Sequence, residues 1–237
     1  DGNITYRRAL TRSKNTCSVK LIEALGVDPV TSLARKLGIQ SKLPENLTLA
    51  LGTGEVTALE LANAYATIAS GGFKSDPIFI RKVVGADGKI LMDHRAQPER
   101  VLDEDVAFVL THMMQSVVEE GTAVRAQRIG RSLAGKTGTT NRSRNAWFAG
   151  FSPGLVAVTW VGFDDNSPLG RLTGSSAALP IWVDYMEAAL DGTPNLPFRP
   201  PSNVVFRRVD ADTGKASSDV GNIEEVFVAG TEPDEST

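Results

Sequence analysis

Two short stretches of the chain hold residues whose types and spacing suit acyl chemistry. The first is Ser132-Leu133-Ala134-Gly135-Lys136-Thr137-Gly138-Thr139-Thr140. On the edge of a strand, Lys136 would supply a fixed positive charge, and the hydroxyls of Thr137 and Thr139 would supply donors. Gly138 would let a substrate approach the backbone, and an amide there can serve a developing oxyanion. That set suits a terminal carboxylate next to a reacting carbonyl. The second stretch is Ser13-Lys14-Asn15, a hydroxyl and an amide at a break between two helical segments, where both can face a cleft. Taken singly, each has an ordinary reading: a solvated lysine on a surface turn, and a helix cap.

Gly130 to Thr137 also satisfies G-x-x-x-x-G-K-[ST], the phosphate-cradling loop, and Val161-Gly162-Phe163-Asp164 resembles the strand that ends in a magnesium-binding Asp. That chemistry requires a helix to begin at the Lys-Thr, because the loop amides and helix N-terminus hold the phosphates. Here Gly138-Thr139-Thr140-Asn141-Arg142-Ser143 follows, without apolar periodicity, and then a strand. Leu133 and Ala134 stand in a β-like run where glycines are expected. The nucleotide reading is therefore the weaker one.

The elements that must position these residues can be read from pattern. An amphipathic segment begins at Thr5 to Leu10, is interrupted at Arg12 to Asn15, and resumes from Val19 to Leu25 before Gly26 stops it. Pro29 sits near the first turn of the next helix and Gly38 ends it. Thr57-Ala58-Leu59-Glu60 has the form of a capping box, and Leu61, Ala64, Tyr65 and Ile68 recur at helical spacing until Gly71-Gly72. Ile78 to Val84 and Lys89 to Met92 flank Asp87-Gly88, a hairpin turn pair. Asp103-Glu104-Asp105 starts a helix running through Val118. Apolar runs at Ser132–Lys136, Ala146–Phe151 and Leu155–Phe163 predict strands, the last two joined by Ser152-Pro153-Gly154 into an antiparallel hairpin. Ala177 to Leu190 reads as a helix on that sheet. A stiff segment with Pro194, Pro197, Pro200 and Pro201 then leads to two strand candidates around Asp212-Thr213-Gly214 and an acidic tail, Glu232 to Thr237. The order predicts an α+β architecture, an antiparallel sheet with helices and a helical subdomain. Residues 1–192 form one expected unit, and 193–237 a Pro-rich linker with a β-prone tail.

Bulk properties remove several function classes. The chain has 237 residues, 41% hydrophobic and 22% charged, with formal net charge −3 and both signs interspersed. No basic stripe calls for a nucleic acid partner. Cys17 is the one cysteine, and His94 and His112 are the only histidines, so neither a disulfide within the chain nor a zinc cluster is expected. No metal or other cofactor is implied. No apolar run reaches membrane-spanning length.

Ser13-Lys14-Asn15 and Lys136-Thr137-Gly138 at domain-scale separation match the second and third motifs of penicillin-recognising serine enzymes. The likeness extends along the chain: Leu51-Gly52-Thr53-Gly54-Glu55-Val56-Thr57, Leu61-Ala62-Asn63-Ala64-Tyr65-Ala66-Thr67, Ala146-Trp147-Phe148-Ala149-Gly150-Phe151, Trp160-Val161-Gly162-Phe163-Asp164-Asp165, Ala178-Leu179-Pro180-Ile181-Trp182 and Gly230-Thr231-Glu232-Pro233. On these segments the chain resembles the C-terminal part of the transpeptidase domain of class A, bifunctional penicillin-binding proteins. The resemblance implies a β-lactamase/transpeptidase-like fold, incomplete at its N-terminus, and serine acyl transfer on stem peptides ending in D-alanyl-D-alanine. It implies that Ser13 relays a proton to the leaving amine, Asn15 binds the substrate amide, and Lys136 holds Ser13. Thr137, Gly138 and Thr139 would form the carboxylate and oxyanion subsite. Expected partners are peptidoglycan stem peptides and lipid-linked precursors, β-lactams, and an upstream glycosyltransferase domain with its membrane anchor. The expected location is extracytoplasmic.

The family's first motif, Ser-x-x-Lys, supplies nucleophile and base. The residues three before each lysine are Thr11, Cys17, Leu33, Ile39, Gly71, Phe79, Ala86, Leu133 and Asp212; none is serine. The nucleophile is thus expected upstream of Asp1, and the chain is expected to be a fragment that is inactive alone. Other readings are a serine β-lactamase or D,D-carboxypeptidase on the same fold, and a binding module that kept the cleft without turnover.

Overall fold

The computed structural model describes residues 2–217 and 222–234. Four helices come first: α1 (Tyr6–Thr11), α2 (Asn15–Leu25), α3 (Val27–Lys36) and α4 (Ala58–Ala69). Gly26 and Gly38 follow α2 and α3 with positive φ, as stop signals should. The capping box at α4 forms as its spacing requires: Thr57 Oγ1 accepts from the Glu60 N–H, and Glu60 accepts in return from the Thr57 N–H. Glu60 also accepts from the Gln40 and Ser41 amides, which ties the preceding loop to the start of α4.

Next come β1 (Phe73–Lys74), β2 (Lys82–Val84), β3 (Ile90–Asp93) and β4 (Glu99–Arg100). β1 pairs with β4, and β2 with β3 across the Asp87-Gly88 turn. Helix α5 (Glu104–Glu119) leads to the main sheet, β5 (Ala134–Thr139), β6 (Asn145–Ser152) and β7 (Leu155–Gly162), antiparallel in that order. A π-helical turn, Gly174–Ala178, precedes α6 (Leu179–Ala189). The chain then forms β8 (Val204–Val209) and β9 (Ile223–Val228), paired with each other.

Alternation along β6 divides the core into two layers. Ala146 and Phe148 face α6, where Phe148 meets Trp182 edge-on at 4.8 Å and Leu179, Val183 and Met186 complete a fully buried cluster. The Trp182 indole N–H donates to the Ala157 carbonyl, so this large residue is buried without an orphaned donor. Phe151 faces the other way, onto Ile68 of α4 and Met114 of α5, beside Ala134 of β5. Lys136 is two residues along β5 from Ala134 and shares its α4/α5 side.

Two expected boundaries shift. Asn15 is the first residue of α2, not part of the break. The break shrinks to Arg12–Lys14 because the backbone N–H groups of Cys17 and Ser18 already bond the Lys14 carbonyl. Strand β5 starts at Ala134, not Ser132, and runs through the whole Lys-Thr-Gly, since its ladder with β6 continues to the Thr139–Ala146 pair. Lys136 and Thr137 thus lie in a strand with no helix beginning at them, which removes the phosphate-loop reading. The Asp212–Gly214 turn is followed by a bridge from Ala216 back to Val209. Residues 218–221 and the end of the acidic tail, 235–237, lie outside the described residues.

Candidate active site

Helix α1 fixes the first half of the site. Its end is a Schellman arrangement in which the Ser13 N–H donates to the Leu10 carbonyl and the Lys14 N–H to the Ala9 carbonyl. That motif normally places glycine in the left-handed position. Here Ser13 occupies it, with φ 53°. The strained backbone swings the Ser13 hydroxyl out of the helix and starts α2 two residues later. Asn15 stands exposed in the first turn of α2.

Strand β5 supplies the second half. The Thr140 N–H donates to the Asn145 carbonyl, so these residues form a hydrogen-bonded pair of the antiparallel ladder. Such pairs alternate. Gly138 and Lys136 therefore bond to β6, while the N–H and C=O groups of Thr137 and Thr139 point out along the open edge of β5. Consistent with that, the outward Thr137 carbonyl accepts from Lys136 Nζ at 2.9 Å. The Thr139 N–H is left pointing along the edge.

The two halves meet at one contact. Lys136 Nζ donates to Ser13 Oγ at 2.8 Å. Burial pushes the Lys136 ammonium down to about 8, which places its proton exchange near neutral pH. Because Ser13 Oγ accepts from Lys136, the Ser13 O–H is free to donate elsewhere.

The hydroxyls of β5 are held from the opposite side. Thr137 Oγ1 lies 2.7 Å from Thr122 Oγ1, and Thr139 Oγ1 accepts from the Gly174 N–H at 2.9 Å. Accepting that bond leaves the Thr139 O–H available as a donor. Ser175 Oγ donates to the Thr122 carbonyl and closes the support. Gly174 lies so near the ladder that a Cβ there would be 2.5 Å from the carbonyl oxygens of both Gly138 and Trp147. Gly138 has a milder constraint, with Trp147 Cβ 3.2 Å from where its own Cβ would stand. Among the described residues no cluster of metal-ligating side chains is present.

The structure thus brings together Ser13, Lys136, Thr137, Gly138 and Thr139, and sets Asn15 two residues beyond Ser13. Sequence reading missed Thr122, Gly174 and Ser175. Gly121-Thr122 directly after α5 was one available signal, because glycine is demanded there: a Cβ at Gly121 would meet the Thr11 carbonyl at 2.5 Å.

Comparison with known proteins places the chain in a family and a fold. Penicillin-binding protein 1A of Aquifex aeolicus is 42% identical over 234 residues, covering 98% of this chain and 32% of that protein. The protein of the same name from Pseudomonas aeruginosa is 33% identical over 272 residues, covering 92% of this chain and 33% of that protein. The chain therefore spans about a third of the length of these curated relatives. The crystal structure of penicillin-binding protein 1A from Haemophilus influenzae superposes with TM-score 0.92 at 31% identity, covering 98% of this chain and 41% of that one. PonA1 of Mycobacterium tuberculosis, solved in complex with penicillin V, superposes at 0.76 with 29% identity over 84% of this chain and 59% of that one. The expected α+β fold of the transpeptidase type is the observed one. Residues 1–187 match the family described as penicillin binding protein transpeptidase domain, and the chain belongs to that family.

Proposed function

We propose that this chain forms the Ser13/Asn15 and Lys136-Thr137-Gly138-Thr139 sides of a serine D,D-transpeptidase site acting on peptidoglycan stem peptides, with β-lactams as substrate mimics. The observation that carries the reading is the 2.8 Å contact of Lys136 Nζ with Ser13 Oγ beside an open strand edge. In the reaction, a serine Oγ attacks the carbonyl carbon of the D-alanyl-D-alanine bond and gives its proton to the lysine of its own Ser-x-x-Lys, the base of that motif. The Thr139 N–H donates to the developing oxyanion; loss of one such donor costs about a hundredfold or more. The free O–H of Ser13 gives its proton to the departing D-alanine nitrogen, and Lys136 returns one to Ser13. Thr137 and Thr139 donate to the terminal carboxylate, Asn15 binds the substrate amide, and an amine from a second stem peptide then takes the acyl group.

The nucleophile in this reading belongs to a Ser-x-x-Lys outside the present sequence, on a polypeptide that also carries a glycosyltransferase domain and a membrane anchor and works outside the cytoplasm. One structural feature supports an outside contribution: β7 has only β6 as a strand neighbour among the described residues, leaving its other edge open. No helix among the described residues is long and apolar enough to cross a membrane. The division into residues 1–192 and 193–237 belongs to the same proposal, and the end of the family match at 187 supports it.

Intact-mass measurement before and after benzylpenicillin tests the reading. On a natural polypeptide extending upstream, a penicilloyl adduct is expected on a serine outside this sequence. An adduct on Ser13 would overturn its role as relay, and a longer polypeptide that forms no adduct would overturn the reading itself.

A further inference from the structure

The C-terminal hairpin and the serine turn converge on helix α1. Arg7, in the first turn of α1, is buried and uses its whole guanidinium. It grips the Glu225 carboxylate of β9 in a two-point fork, Nε to Oε2 at 2.6 Å and Nη2 to Oε1. Its Nη1 donates to the His112 carbonyl at 2.8 Å and to Ser116 Oγ at 2.7 Å, both on α5. Nη2 also meets His112 Nδ1 at 2.7 Å. The next residue, Arg8, makes an ion pair with Asp212 in the turn region after β8. Gly214 rests at the α1 N-cap, where its Cβ would lie 3.3 Å from Thr5 Cγ2. The hairpin thus clasps both the buried and the outer side of α1.

That clasp matters because α1 is short. Six residues cannot hold their own conformation, yet the helix must keep Ser13 at φ 53° and within 2.8 Å of Lys136. A non-glycine residue in the left-handed region persists only where its surroundings over-determine it. Within α1 the Schellman bonds transmit position from helix to Ser13. The helix is held by Leu10 against the core and by the Arg7 network, in which Glu225 supplies the one carboxylate of the two-point fork.

We infer that Glu225 is a positioning residue: through Arg7, the β8–β9 hairpin sets the place of Ser13 at the site. The link to turnover rests on the transpeptidase reading; the link to Ser13 geometry does not. Glu225 acts through Arg7 and not by touching substrate. Its effect falls on proton delivery, not on carboxylate binding at Thr137 and Thr139.

The experiment is Glu225→Gln in a natural polypeptide extending upstream, at a temperature where it is fully folded. The readouts are acylation by a fluorescent penicillin and amide hydrogen exchange at residues 12–16. The limiting acylation rate should fall about ten- to a hundredfold, the penicillin concentration at half-saturation should change little, and exchange at 12–16 should rise. Asp212→Asn, which removes only the outer contact, should move both readouts the same way by less, and it serves if Glu225→Gln does not fold. Unchanged acylation and unchanged exchange, even with a lowered melting temperature, would make the hairpin a purely structural appendage and overturn the inference. If the wild type does not acylate, the transpeptidase reading fails on its own; exchange at 12–16 then decides the inference, which stands if protection is lost and falls if it is not.

Discussion

Lys136 Nζ and Ser13 Oγ lie 2.8 Å apart although 123 positions separate them in the chain. The contact joins a strand edge to the end of a six-residue helix, and neither element can make the site without the other. Burial lowers the Lys136 ammonium to about 8 from an ordinary lysine value of about 10.4. A depressed folded value means the unfolded chain holds more proton between these limits. Stability therefore rises with pH across that window, and is lost as pH falls through 8. Labelling of Lys136 by an amine reagent, followed by mass spectrometry, should reach half its maximal rate near pH 8. A midpoint near 10 would contradict the buried placement.

Ser13 should reveal a conflict between stability and chemistry. Ser13→Gly relieves the left-handed backbone and should be more stable than Ser13→Ala by about 1 kcal/mol, while removing the hydroxyl that Lys136 holds. Ser13→Ala removes the hydroxyl and keeps the strain. In a natural polypeptide extending upstream, both should reduce penicillin acylation about a hundredfold or more, as loss of a proton-transfer group does. Urea denaturation and acylation rates measured together check the pair. Equal stability of the two variants would argue against strain at this position.

Gly174→Ala places a methyl group 2.5 Å from two carbonyl oxygens of the β5–β6 ladder. Backbone, not a flexible side chain, would have to move. The expected cost is about 1–3 kcal/mol in unfolding free energy, with a loss of acylation because Thr139 depends on the Gly174 N–H. Gly154→Ala is the control, since a Cβ there meets open space. Thermal unfolding of the two variants separates the outcomes.

Acid should loosen the Arg7 network through His112. Arginine only donates, so His112 Nδ1 accepts from it and the ring is neutral. Burial first, and the Arg7 charge second, hold His112 below its ordinary value, against smaller opposing effects of Glu225 and Glu224. The stabilising contribution is present above about pH 6.5 and is lost as pH falls through the lowered folded value. Chemical denaturation from pH 8 to pH 4 should show a decline that His112→Gln flattens below 6.5. The same slope in both proteins would place the acid sensitivity elsewhere.

Local signals were readable wherever a few neighbouring residues settle the outcome. The Thr57–Glu60 capping box, the Ser152–Gly154 turn and the glycine stops after α2 and α3 all depend on contacts within a few positions. The apolar run Ala146–Phe151 likewise predicted the strand that β6 forms. Thr122 and Gly174 carried no such pattern. Their importance comes from a hydroxyl and a carbonyl pair delivered by β5 and β6. Arg7 looked like one more charge on an amphipathic helix, because its partner lies 218 positions away.

The main helices and strands, their order and the two motifs whose joint presence marks the family follow from the order of residues alone. Hydrophobic period, caps and turn residues are local physical constraints, and motif spacing is written in the chain. Only the tertiary structure decided that Lys136 reaches Ser13, that its ammonium is pushed towards neutrality, and that Ser13 is held in a strained conformation. It also decided that the Thr139 N–H faces an open edge. These follow from desolvation, ladder register and long-range hydrogen bonds, which arise from atoms brought together by packing and have no counterpart in the order of residues.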